Sequence, residues 1–177
     1  MDRDQHPVWA VYDKLRTARL NVKYYCRRLQ RLERIIFTLD VILLVAAPSS
    51  AIASLWFWDT PAGRIAWQSL SVVAAIIATV RPIFHLTRRV KEYESAIAAY
   101  RIMEYDLESV RQRIEQRGEY DAKLRSEFLR IVERQKAAEL ASPEKVADQK
   151  LLKECSDAVL SELPANSFFV PSTSRIG

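Results

Sequence analysis

The sequence predicts an all-α membrane protein in which a two-helix transmembrane hairpin is joined to a cytoplasmic helical bundle. Three observations predict it. Two long apolar runs lie either side of a short loop between residues 35 and 86. On both flanks of those runs, apolar residues recur at spacings of three and four, the period of one helix face. The positive charge of the chain also ends where the first apolar run begins. Nine Lys and Arg against four Asp and Glu give residues 1–34 a net +5, whereas 35–86 (two against two) and 87–177 (sixteen against sixteen) are neutral.

Residues 1–34 read as a basic amphipathic cytoplasmic helix. Val8, Val11, Leu15, Ala18, Val22, Tyr25, Leu29, Leu32 and Ile36 follow one another at strict three-four spacing, a heptad seam of the kind through which helices pair. That seam is expected to hold copies of the chain together as a homo-oligomer. The other faces carry Lys14, Arg16, Arg19, Lys23, Arg27, Arg28, Arg31 and Arg34. They suit an anionic lipid surface as well as a partner helix. No groove-reading motif accompanies these cations, so no nucleic acid is expected as a partner. No Gly or Pro interrupts the chain from Val8 to Ala47, and the helix should run straight into the first apolar run.

Residues 35–86 form the expected hairpin, with membrane helices over 35–58 and 61–86. The first run holds one ionisable residue, Asp40, in 24 positions. At about 1.5 Å per residue it exceeds a hydrocarbon core of about 30 Å. Its Pro48 should bend the helix by removing one hydrogen bond, with Ser49 and Ser50 helping to satisfy the freed backbone. The second run, from Ile65 to Leu86, contains Arg81 and His85 as its only ionisable residues. Thr60 followed by Pro61 reads as an N-cap with proline at the first helical position. Trp56, Trp58 and Trp67 would mark one membrane interface. A buried hairpin of a soluble protein is the alternative, but such helices are usually shorter and keep a polar stripe. Cationic flanks stay on the cytoplasmic side, and Arg88, Arg89 and Lys91 match the basic residues before Ile35. Both termini should therefore be cytoplasmic, and the chain a multi-pass inner-membrane protein.

Residues 87–163 read as cytoplasmic helices. Val90, Tyr93, Ile97, Tyr100, Met103, Leu107, Val110 and Ile114 give the first its inward face, and one irregular step favours a bundle over a long dimer. Gly118 suits a left-handed helix cap. A further helix is expected from about Glu119 to Leu140 on Tyr120, Leu124, Phe128 and Ile131. Another should start at Ser142 and Pro143, with Val146, Leu152, Cys155, Val159 and Leu163 inward and Pro164 as its stop. Residues 164–177 hold too few apolar residues for a core and are expected to be disordered, although Phe168, Phe169 and Val170 could dock on a partner.

No catalytic constellation is visible, so the chain is not expected to be an enzyme. Two histidines, no nucleophile motif and three scattered glycines supply neither acid-base chemistry nor a phosphate cradle. No cofactor or metal is expected, and Cys26 and Cys155 read as packing residues. The informative polar residues are those inside the apolar runs. Asp40 lies five residues after Ile35 and Arg81 five before Leu86. In an antiparallel hairpin both sit about 7.5 Å inside the same boundary. An intramembrane charge costs about 2.5 to 3.5 kcal/mol on insertion scales, and an opposite charge at equal depth relieves it. Snorkelling of Arg81 to the headgroups competes with that pairing. Two helices cannot enclose a pore. A conducting path would need several copies, with Asp40, Arg81, Thr38, Ser50, Gln68 and Thr79 as candidate lining.

The basic helix carrying Ala18-Arg19-Leu20-Asn21, Tyr24-Tyr25 and Arg27-Arg28-Leu29-Gln30-Arg31-Leu32 leads directly into the hairpin, and a charged helix follows it. This arrangement, over roughly residues 8 to 140, resembles the SLATT family of two-helix membrane effectors found in bacterial conflict systems. The resemblance implies a pore-forming antiviral-defence effector that permeabilises or depolarises the inner membrane when a cytoplasmic sensor or nucleotide-synthase partner triggers it. A membrane-anchored scaffold that recruits a cytoplasmic partner is the alternative, and a small transporter subunit is a third reading.

Overall fold

A computed structural model describes residues 6–46, 60–80, 85–140, 142–144 and 146–171. All regular structure among the described residues is helical. The helices are α1 (Trp9–Ala46), α2 (Pro61–Val80), α3 (Leu86–Arg117), α4 (Ala122–Leu140) and α5 (Gln149–Glu162), followed by a 3-10 turn, Ala165–Ser167. The chain divides into two compact units. Unit 1 comprises residues 1–28 and 92–177, and unit 2 comprises residues 29–91.

Helix α1 runs unbroken for 38 residues. The sequence holds no glycine or proline in that range, so nothing removes a backbone donor or relaxes the helix. Its first half enters the core of unit 1. Val8, Val11, Tyr12, Leu15 and Ala18 are fully buried there, and Tyr24 and Tyr25 nearly so. Tyr12 and Tyr24 lie beside the expected seam and widen it. A stripe of that width suits a globular bundle, in which one helix meets several neighbours.

The remaining core comes from α3, α4 and α5. Seven of the eight inward positions expected on α3 are buried, with Val90 the exception. Gly118, at φ 68°, ends α3 with its N–H on the Ile114 carbonyl, and the chain turns back into α4. Helix α4 begins at Ala122, three residues later than the sequence indicated. Asp121 caps it by accepting the Leu124 N–H at 2.7 Å. Tyr120, Leu124, Phe128 and Ile131 are buried as expected.

Two expectations fail beyond α4. Helix α5 starts at Gln149, where the Asp148 carboxylate accepts the Leu151 N–H. Val146 lies before the helix and is 83% exposed, while Leu151 takes an inward place with Cys155 and Val159. An aspartate able to cap the backbone competed with the Ser142-Pro143 start and won. The second concerns the tail, whose described residues 164–171 pack against α1. Phe168 is buried and stacks on Tyr12 at 4.2 Å between ring centroids, and the Tyr12 hydroxyl donates to the Phe169 carbonyl. Arg16 donates twice to the Leu163 carbonyl and lies over the Phe168 ring. The docking partner of this segment is thus α1 of the same chain.

In unit 2, α2 begins as the sequence indicated, with Pro61 in the first turn and Thr60 Oγ1 accepting the Gly63 N–H at 3.0 Å. It does not continue to Leu86. His85 sits in the left-handed region at φ 43°, and α3 starts after it. The Pro48 bend, Ser49, Ser50, Trp56, Trp58 and Arg81 lie outside the described residues.

Gly118 supplies a test of the fold. A Cβ there would meet nothing within 4 Å, so substitution acts through φ alone. Gly118→Ala is expected to destabilise unit 1 by about 1 to 2 kcal/mol, read as a lower chemical-denaturation midpoint at unchanged slope.

Candidate functional site

The exposed apolar surface of unit 2 is one candidate site. Among the described residues one helix, Pro61–Thr79 of α2, is long and apolar enough to cross a membrane. Only 6% of it is buried. The core helix of a soluble protein would be covered by its own chain, whereas Ile65, Val72 and Ile76 on α2 are 67, 60 and 58% exposed. Ile35, Phe37 and Leu44 on α1 are equally open. An exposed apolar area of this kind requires a cover other than water.

The polar residues expected near this surface fall as follows. Thr38 donates to the Arg34 carbonyl and Thr79 to the Ala75 carbonyl, each at 2.8 Å. Ser69, which is not among the expected residues, likewise donates to the carbonyl of Ile65. Each hydroxyl is satisfied within its own helix, the arrangement that lets such residues sit in an apolar medium. Gln68 and Asp40 are exposed on α2 and α1. Ser50 and Arg81 lie outside the described residues, and with them the expected Asp40–Arg81 pair.

The expected oligomer seam changes character near the boundary between units, with Val22 of unit 1 already partly exposed. Val8, Val11, Leu15, Ala18 and Tyr25 are buried within unit 1, while Val22, Leu29, Leu32 and Ile36 are partly exposed. Four cations on the basic faces of α1 pair with carboxylates of unit 1. In unit 1, Arg19 meets Glu104 at 2.6 Å, Lys23 meets Glu162 at 2.7 Å, Arg27 meets Glu154 at 3.3 Å and Arg28 meets Glu144 at 2.6 Å. The N-terminal charge excess read for topology therefore also serves to bind α1 to the rest of its own bundle.

A second cluster, which the sequence did not reveal, is built on Glu144. Its carboxylate accepts hydrogen bonds from the Tyr24 hydroxyl at 2.6 Å, the Arg28 Nε at 2.6 Å and the Tyr93 hydroxyl. The glutamate side chain is only 10% exposed. Burial raises the Glu144 carboxyl, but these three donors outweigh it and hold the group below the ordinary glutamate value. Burial, aided by the bond to Glu144, pushes the Tyr24 phenol up to about 12, so it stays a donor at neutral pH. The Tyr24 oxygen also accepts the Asp148 N–H, and Tyr25 pairs with Ser142. Polar contacts from α1 and α3 thus fasten the segment between α4 and α5.

The third feature is a cleft of about 290 Å³ between α3 and α4, lined by Ala99, Ile102, Met103, Ile131 and Ala138, with Asp106 and Arg134 ion-paired beside it. Gln135 also lines it and gives its amide N–H to Glu139. No group of three or more His, Cys, Asp or Glu residues suited to a metal ion occurs among the described residues. No protein-family model matches the chain, nor does any curated protein or solved structure.

The divided seam yields a test. Leu15→Glu would bury a charge without a partner and is expected to cost more than about 4 kcal/mol, unfolding unit 1. Leu29→Glu with Leu32→Glu should leave the far-ultraviolet signal and melting of unit 1 intact while lowering the particle mass in detergent. An unchanged mass would mean that this half of the seam joins no second copy.

Proposed function

We propose that the chain is a membrane effector. Its 35–86 hairpin spans the inner membrane with both termini cytoplasmic, and copies assemble to permeabilise or depolarise the bilayer when a cytoplasmic partner or nucleotide signal acts on unit 1. The observation that carries the reading is α2, a membrane-length apolar helix left almost wholly uncovered by its own chain. Lipid is the cover that fits it, since a bilayer needs no complementary groove and accepts a helix whose hydroxyls bond to its own backbone. The likeness to SLATT effectors supports the permeabilising half of the reading, and the paired cations and carboxylates of unit 1 suit a water-facing bundle.

The anchored-scaffold reading shares the hairpin and differs only in what it does to the bilayer. Depolarisation separates the two. With expression induced in a bacterium carrying a membrane-potential dye, the effector depolarises the cells and the scaffold leaves the potential unchanged. Val72→Lys with Ile76→Lys places two cations in α2, each costing about 2.5 to 3.5 kcal/mol at mid-membrane. This double variant should move the protein from the alkali-resistant membrane fraction to the soluble or aggregated one and abolish depolarisation. Retention in the membrane fraction would overturn the assignment of α2 as a spanning helix. In the same assay, Asp40→Asn and Arg81→Gln should each alter depolarisation. The swap of Asp40→Arg with Arg81→Asp should restore part of it, whereas strictly additive effects would reject a coupled pair.

A further inference from the structure

We propose that Ser142, Glu144 and Asp148 form a latch, closed by Glu144, which clamps together the two points where the chain leaves and re-enters unit 1. Arg28 is the last residue of unit 1 on α1, and Tyr93 is the second after unit 1 resumes on α3. Both donate to the one Glu144 carboxylate, together with Tyr24. The two crossings to the apolar unit are therefore joined through a side chain that belongs to neither helix.

The latch is built to open as a piece. Its closed state rests on hydrogen bonds, Glu144 to its three donors, Ser142 to Tyr25, and the Asp148 N–H to Tyr24. Apolar anchoring is slight, for Val146 is 83% exposed and Ser142 and Pro143 are half-buried. Segments with few buried apolar contacts open at a small fraction of the global unfolding free energy. A carboxylate 10% exposed has two good states, fully ligated as here or swung out into water, and a poor one between them. Such an element can be biased by whatever binds its released state. Low pH biases it too. Because the folded carboxyl titrates below its ordinary value, its contribution is complete above the normal glutamate range and is lost as pH falls through the lowered value.

As the device through which a cytoplasmic signal reaches the hairpin, the latch rests on the effector reading. Its existence does not, and amide hydrogen exchange reads it directly on the full chain in detergent. Glu144→Gln is expected to speed exchange about ten-fold at 142–148 and at the flanking stretches 24–32 and 90–96, with amides around Leu107, Val110 and Leu124 unchanged. Acceleration confined to 142–148 would overturn the proposal, because the segment would then be a passive tether. Should Glu144→Gln loosen all of unit 1, Tyr93→Phe decides the matter, since it deletes one donor and keeps the ring. The same local pattern at smaller amplitude supports the latch, and uniform acceleration rejects it. If the exchange pattern holds while the variant leaves the membrane potential of expressing cells as in the parent, the latch stands and its link to permeabilisation falls.

Discussion

Everything in this chain depends on α1 burying one half of its length. Val8, Val11, Tyr12, Leu15 and Ala18 lose all contact with water. At roughly 1.5 to 3 kcal/mol for each larger side chain, they form a sizeable part of the drive that assembles unit 1. The same helix then presents Ile35, Phe37 and Leu44 to its surroundings. One continuous element thus joins a core that closes on itself to a surface that does not. The ion pairs from Arg19, Lys23, Arg27 and Arg28 add registry to this arrangement, and partly exposed pairs of that kind contribute little to stability by themselves.

Much of this was legible before any coordinates. The helical period gave α1, α3 and α4, the missing Gly and Pro gave the unbroken course of α1, and Gly118 and Thr60 gave the punctuation, because each depends on local chemistry alone. What was hidden depends on distance in the chain. Nothing near Phe168 shows that Tyr12 and Arg16 will receive it, and nothing near Glu144 shows that two tyrosines and an arginine converge on it from 120, 51 and 116 residues away. The seam illustrates the intermediate case. Its spacing was correctly read as helix packing, yet spacing does not distinguish a partner in the same chain from one in another copy. The flanking Tyr12 and Tyr24 were the available clue, since a two-stranded coil has no use for a stripe that wide.

The candidate apolar site was legible by composition, and its exposure distinguishes it from a core. Apolar residues at helical length are compatible with burial in protein or in lipid. The 6% burial of α2 excludes burial by its own chain for the residues described. Of the two charges expected at equal depth, Asp40 is exposed on α1 and Arg81 lies outside the described residues.

Both crossings between the units fall inside a helix. On one side the backbone passes from Arg28 to Leu29 in the middle of α1, and on the other from Lys91 to Glu92 within α3. Neither boundary is a loop, so at each the hydrogen-bond ladder of a helix runs from the core of unit 1 across the point where burial by the bundle ends.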